Sequence, residues 1–273
     1  MKQNAPALLF FLTLVSLSQP STALAEPDQW SLQYFGLFAG PSVRGLSPQQ
    51  PTRQGFPDPN RPVQIRNFHT LDYLTDPNLG FGLSATALWT ANPWDESRQT
   101  EVGDPYLRAY FLNLLPEGPE TLPLYWYVDL RWHPGVSPYS RDTDQLFGLQ
   151  LFQALTWAPR ESRWMTAFYL SLRRNQFGEE GLGYDGEAFL APAISYRVSG
   201  PLQASLMVQF PLFHRRGQTP SQWETTGLDL EPGLSWDLSP QLNFSPYLTV
   251  PVSGSAAPSR GTAFGFTLNW NWF

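Results

Sequence analysis

The sequence predicts an all-β protein: a single antiparallel, up-and-down transmembrane β-barrel of about twelve strands. Three observations carry this reading. Apolar and polar residues alternate with period two over long segments, a strand signal rather than a helix signal. The connections between those segments alternate between short and long. The composition is also unusual, with 15% aromatic residues but only 15% charged, where about a quarter is common in soluble domains. A mean hydropathy of −0.28 argues against repeated runs of roughly 20 apolar residues, so helices are not expected to do the spanning.

The 273 residues divide at Ala25. Lys2, an apolar run over 7–17 and Ala23-Leu24-Ala25 have the order of charge, apolar core and small-residue cleavage site of a secretory signal peptide, so 1–25 is expected to be removed and 26–273 to form the barrel. Strands are then expected near 30–43, 62–74, 79–91, 103–113, 122–133, 144–157, 163–174, 186–198, 202–213, 225–237, 241–252 and 261–273. The first has mixed parity, and the second carries Asn67 and His69 on its otherwise apolar parity. The fifth is clear: Leu122, Leu124, Trp126, Val128, Leu130 and Trp132 alternate with Tyr125, Tyr127, Asp129, Arg131 and His133. The seventh and ninth repeat this in 164–173 and 202–212. Pro192, Pro232 and Pro246 fall in strand interiors, where a lost ladder bond predicts a β-bulge or a bend.

Short connections at 75–78, 158–162, 199–201 and 238–240, with a longer one at 114–121, alternate with long ones at 44–61, 92–102, 134–143, 175–185, 214–224 and 253–260. Short turns on one side and long loops on the other are the outer-membrane barrel pattern, with both termini on the periplasmic, short-turn side. A β-sandwich is the competing architecture. It would bury Arg108, Asp129, Arg131, Arg173, Glu187, Asp229 and Glu231 in a dry core, at high cost. Lipid outside and a polar lumen inside account for both faces.

The last segment places Phe264, Phe266, Leu268, Trp270 and Trp272 on one parity and ends at Phe273. This resembles the bacterial outer-membrane β-barrel class, whose last strand ends in an aromatic residue. Phe273 stands one position off the apolar row, a departure from that pattern. The resemblance implies an outer-membrane location and recognition of Trp270, Trp272 and Phe273 by the barrel-assembly machinery. Outer-membrane lipids and lipopolysaccharide would surround the folded chain. Gly103-Asp104-Pro105, a strand, a turn, and a second strand ending at Trp132-His133-Pro134-Gly135 resemble the layout of the phenol meta-pathway family of outer-membrane proteins. That resemblance implies uptake of a small organic compound.

Assigning the polar parity to the lumen nominates a constriction of Asp104, Tyr106, Arg108, Tyr110, Tyr127, Asp129, Arg131, Tyr169, Arg173, Glu187, Asp229 and Glu231. Pairing Asn113 with Leu122 would set Asp104 opposite Arg131 and Tyr106 opposite Asp129, and Arg173 could pair with Glu187. The functional expectation is a monomeric channel for passive diffusion of small, hydrophobic or aromatic solutes. The alternative is a closed structural or binding barrel whose surface loops hold a ligand or partner. An outer-membrane lipid-modifying enzyme comes third: the chain has only three histidines, His69, His133 and His214, and none has a serine at triad-like spacing. No nucleotide, phosphate or zinc-protease motif occurs, so no cofactor and no metal are expected. A net charge of −6 without a basic stripe excludes nucleic acid as a partner.

Overall fold

A computed structural model describes residues 29–42, 63–91, 98–115, 123–159, 161–179, 181, 183–225, 227–253 and 262–272. The expected cleavage site at Ala25 and the terminal Phe273 lie outside the described residues. The elements are β1 (Gln29–Ser42), β2 (Val63–Leu74), β3 (Leu79–Ala91), β4 (Arg98–Val102), β5 (Tyr106–Phe111), β6 (Leu124–Pro134), α1 (Pro138–Asp142), β7 (Gln145–Trp157), β8 (Trp164–Phe177), β9 (Tyr184–Arg197), β10 (Leu202–Arg215), β11 (Trp223–Thr225), β12 (Asp229–Ser239), β13 (Leu242–Pro251) and β14 (Ala263–Asn271).

Neighbours in sequence pair antiparallel, and β14 returns to β1 with Gln33 opposite Asn271, so the sheet closes on itself. Closure leaves no unpaired sheet edge, which a hydrocarbon environment requires. β4 and β5 act as one strand along β3. Ser84 faces Tyr106 and Ala87 faces Val102, so 103–105 holds one residue more than the stretch of β3 it passes. β11 and β12 are split the same way along β10, where Gln209 faces Asp229 and Leu212 faces Thr225. Counting each split pair once gives a closed twelve-strand barrel. One end, called the base here, carries the β2–β3, β7–β8, β9–β10 and β12–β13 connections. The other, the rim, carries α1.

The period-two pattern has a direct physical outcome. Leu83, Leu130, Leu149, Trp164 and Leu234 face outward and are exposed, while Phe152, Tyr169, Phe189, Ala191 and Met207 face inward and are buried. At the base, aromatic side chains ring the outer wall: Trp30 meets Tyr73, Trp164 meets Tyr196 and Trp270 meets Trp272, at centroid separations of 4.8, 4.8 and 5.0 Å. Such rings suit the interface between hydrocarbon and water. Inside, Tyr110 lies over Gly80 and Tyr247 over Gly265, where a Cβ would strike the ring.

The three interior prolines do not make bulges. Pro192 faces Phe168, Pro232 faces Leu206 and Pro246 faces Phe266, all in unbroken register. A strand residue's N–H serves only one neighbour, so each proline costs bonding on one side and leaves the other ladder intact. The cost falls toward β10 for Pro192. Between β12 and β13 it falls twice, and only Leu230–Val250, Gly233–Tyr247, Trp236–Phe244 and a few end positions remain in register contact there.

Candidate functional site

The lumen is built from alternate residues of each strand, so its chemistry follows from parity. Tyr127, Asp129 and Arg131 are consecutive inward positions of β6. Asp129 is fully buried and its Oδ2 accepts from Arg131 Nε at 2.9 Å, Arg131 Nη2 at 2.7 Å and the Tyr127 hydroxyl at 3.2 Å. Arg108 on β5 stands directly opposite Arg131. Like charges at opposed positions repel, and two carboxylates offset this. Arg108 Nη1 lies 3.6 Å from Asp129, and its Nε and Nη2 reach Asp72 Oδ1 and Oδ2 at 2.8 and 2.5 Å. Asp72 belongs to β2, with β3 between it and β5. It reaches across because Gly82 has no side chain, and a Cβ there would collide with Asp72 and press on Arg108. Aromatic faces complete the cluster: Arg108 lies over Tyr110 at 4.6 Å, and Arg131 over Tyr106 at 5.2 Å and Phe152 at 5.5 Å. The Phe152 and Tyr169 rings continue the layer at 6.4 Å.

Nearer the rim, Arg173 faces Glu187 in register. Asn175 joins them, accepting from Arg173 Nε and donating to Glu187 Oε1, both at 2.8 Å. His133 contacts Gln150 at 3.1 Å. His214 Nδ1 lies 2.6 Å from Asp185 and Nε2 lies 3.0 Å from the Thr219 carbonyl. His69 is on the outer wall beside Tyr34, at 5.2 Å. Among the described residues no serine hydroxyl is bonded to any of the three histidines.

Asp104 is not in the constriction. It sits in the irregular 103–105 stretch at the rim, where it accepts from the Val136 and Ser137 backbone at 2.8 and 2.6 Å and from the Ser140 hydroxyl. It therefore pins the segment that leads into α1. The pairing expected from Asn113 and Leu122 is also displaced by four positions: Arg108 faces Arg131 and Tyr110 faces Asp129. Asp104→Ala removes three hydrogen bonds from one loop, each worth about 1 kcal/mol net. Limited proteolysis within 135–144 is expected to accelerate, with the barrel's thermal midpoint little changed.

Asp229 and Glu231 occupy the opposite wall, on β12. Glu231 accepts from the Thr249 hydroxyl at 2.8 Å. Tyr247 and Arg66 lie close enough to interact electrostatically across this side of the lumen. Asp72 and Arg66 were not nominated from sequence, because Asn67 and His69 on the outer face obscured the parity of β2. The signal was present nonetheless: both share parity with Thr70 and are flanked by larger apolar or aromatic residues on one side or both.

At the base, the lumen opens into a vestibule with Met165, Ala167, Tyr169 and Ala193 on one side and Ser205, Ser235 and Ser245 on the other. Glu231 and Tyr247 also line it. Among the described residues, no group of three or more histidines and carboxylates is placed to hold a metal.

No protein-family model matches the sequence, and no curated protein matches it. Solved structures do. An outer membrane channel from Pseudomonas putida F1 aligns with a TM-score of 0.58 at 12% identity, over 91% of this chain and 96% of that one. A loop L8 deletion mutant of OmpT, an outer membrane protein of Vibrio cholerae, aligns at 0.41 with 7% identity, over 89% and 98%. Outer membrane phospholipase A from Escherichia coli aligns at 0.41 with 12% identity, over 91% and 94%. The first of these shows that the fold is that of an outer-membrane β-barrel.

Proposed function

We propose that this protein is a monomeric outer-membrane channel through which small solutes diffuse down their gradients, without catalysis or a cofactor. The observation that carries the reading is the division of the lumen. Residues of β2 and β5–β10 pack into a charged and aromatic plug, whereas at the base a vestibule opens between β8 and β9 on one side and β10, β12 and β13 on the other. A barrel of this size lies between those filled by side chains and those that leave an aqueous pore, so half-filling leaves a narrow path. Small organic solutes fit the aromatic lining, and the structurally similar P. putida protein is an outer membrane channel. On this reading the base faces the periplasm, lipopolysaccharide and phospholipid surround the wall, and the assembly machinery reads Trp270, Trp272 and Phe273.

The packed plug also favours a second reading, a closed barrel that acts through its rim loops. Planar-bilayer recording separates the two. Discrete single-channel steps from the purified, heat-modifiable barrel are the expected result. Silence at every voltage would leave the closed barrel standing.

A further inference from the structure

Two cations sit together at the mouth of the vestibule. Arg163 immediately precedes β8 and Arg197 ends β9, one rung below the Trp164–Tyr196 pair, and the Arg197 N–H donates to the Arg163 carbonyl at 2.8 Å. Both line one recess with Ser162, Ser195 and Gln203. Among the described residues neither guanidinium has a carboxylate within ion-pair distance. This is the reverse of Arg108 and Arg131, where two aspartates offset the repulsion. Arg163 is exposed and Arg197 half-buried; like charges so placed repel, and a bound anion would relieve that with charge-assisted hydrogen bonds.

The recess continues into the vestibule, since Met165, Ser195 and Gln203 border both. Beyond the arginines one wall is apolar. At the far end stands Tyr247, buried, with a hydroxyl that has no hydrogen-bond partner among the described residues, and Glu231 is beside it in the lining. A buried hydroxyl without a partner costs on the order of 1–3 kcal/mol, which a polar group on a bound molecule would recover.

We propose that the vestibule binds a small organic carboxylate, with its anionic group on Arg163 and Arg197 and its apolar body against Met165, Ala167 and Tyr169. The arginines at the mouth take the carboxylate, and the unpartnered Tyr247 hydroxyl takes a neutral polar group at the deep end. This names the solute class of the proposed channel and rests on that reading for its transport meaning, though binding itself does not require conduction.

Isothermal titration calorimetry on the detergent-folded full chain tests it, with 4-hydroxybenzoate, benzyl alcohol, benzylamine and inorganic phosphate as probes. Saturable binding of 4-hydroxybenzoate is expected, with the alcohol and the amine weaker by about tenfold or more, the loss of a charge-assisted anchor. The Arg163→Gln/Arg197→Gln double variant is expected to lose about tenfold or more of that affinity, and the Lys/Lys variant to keep most of it. Both arginines are at the end of the barrel, and an unchanged heat-shift on gels verifies folding. Equal affinity for acid and alcohol, tighter binding of the amine, or no loss in the Gln/Gln variant would overturn the site. Phosphate binding as tight as 4-hydroxybenzoate would also overturn it, pointing to a bare anion or lipid-headgroup site. Binding without conductance would leave the site and remove the channel; conductance without binding would do the reverse.

Discussion

Asp129→Ala is expected to lower barrel stability by about 3–5 kcal/mol, the usual cost of removing one partner of a buried ion pair. Arg108 would retain Asp72, but Arg131 would keep its inward, buried position with no carboxylate, since its Nε and Nη2 both donate to Asp129. Asp129→Asn tests charge against volume, because the amide keeps the size and some hydrogen bonding yet loses the ionic part, and an intermediate loss is expected. The measurement is the temperature at which the folded band disappears on unheated gels. A midpoint equal to the parent's would mean that water reaches Arg131 and that the cluster is wet rather than packed.

The second large effect is on conduction. Asp72→Ala/Arg108→Ala removes a bidentate pair and both of its charges together. Removing both charges avoids the uncompensated buried charge that Arg108→Ala leaves on Asp72, although the lost volume carries a cavity cost. The double variant is therefore expected to fold better than Arg108→Ala alone. It also removes the long Arg108 side chain and the Asp72 carboxylate from the middle of the plug, beside Gly82 where no side chain fills the gap. Single-channel conductance is expected to rise about twofold or more, on the reasoning that small barrels are closed chiefly by their interior side chains. A double variant with parental conductance would place the conduction path away from the Arg108 side altogether.

Much of the barrel was legible because its two solvents impose a simple code. Strands such as 79–91 and 202–213 were placed within about three residues, since every second side chain must suit lipid. Register was less legible. The expected Asn113–Leu122 pairing missed by four positions because pairing depends on the connecting segment. There, Asn113 Oδ1 accepts from the Leu115 and Trp126 backbone N–H groups, an arrangement that alternation does not encode. Asp104 was read into the lumen for another reason: parity was carried through 103–105, although Gly103 and Pro105 on either side already suggested a break. β2 hid Asp72 for a different reason. Its outer face carries Asn67, bonded to Tyr34 at 2.7 Å, so polarity appeared on both parities and the inner carboxylate did not stand out. The grouping of Tyr106, Arg108, Tyr110, Tyr127, Asp129 and Arg131 was nonetheless readable from parity on two adjacent strands, even with the wrong rungs.

The two prolines facing the β12–β13 junction give the barrel a fault line. Amides there have fewer partners holding them, so this junction is where deuterium would enter early and where a strained wall would unzip before any other. A closed ring has no natural first break. Pro232 and Pro246 supply one, beside the vestibule and far around the wall from the charge cluster. Stress would then be released beside the vestibule, away from the charge cluster of β2, β5 and β6.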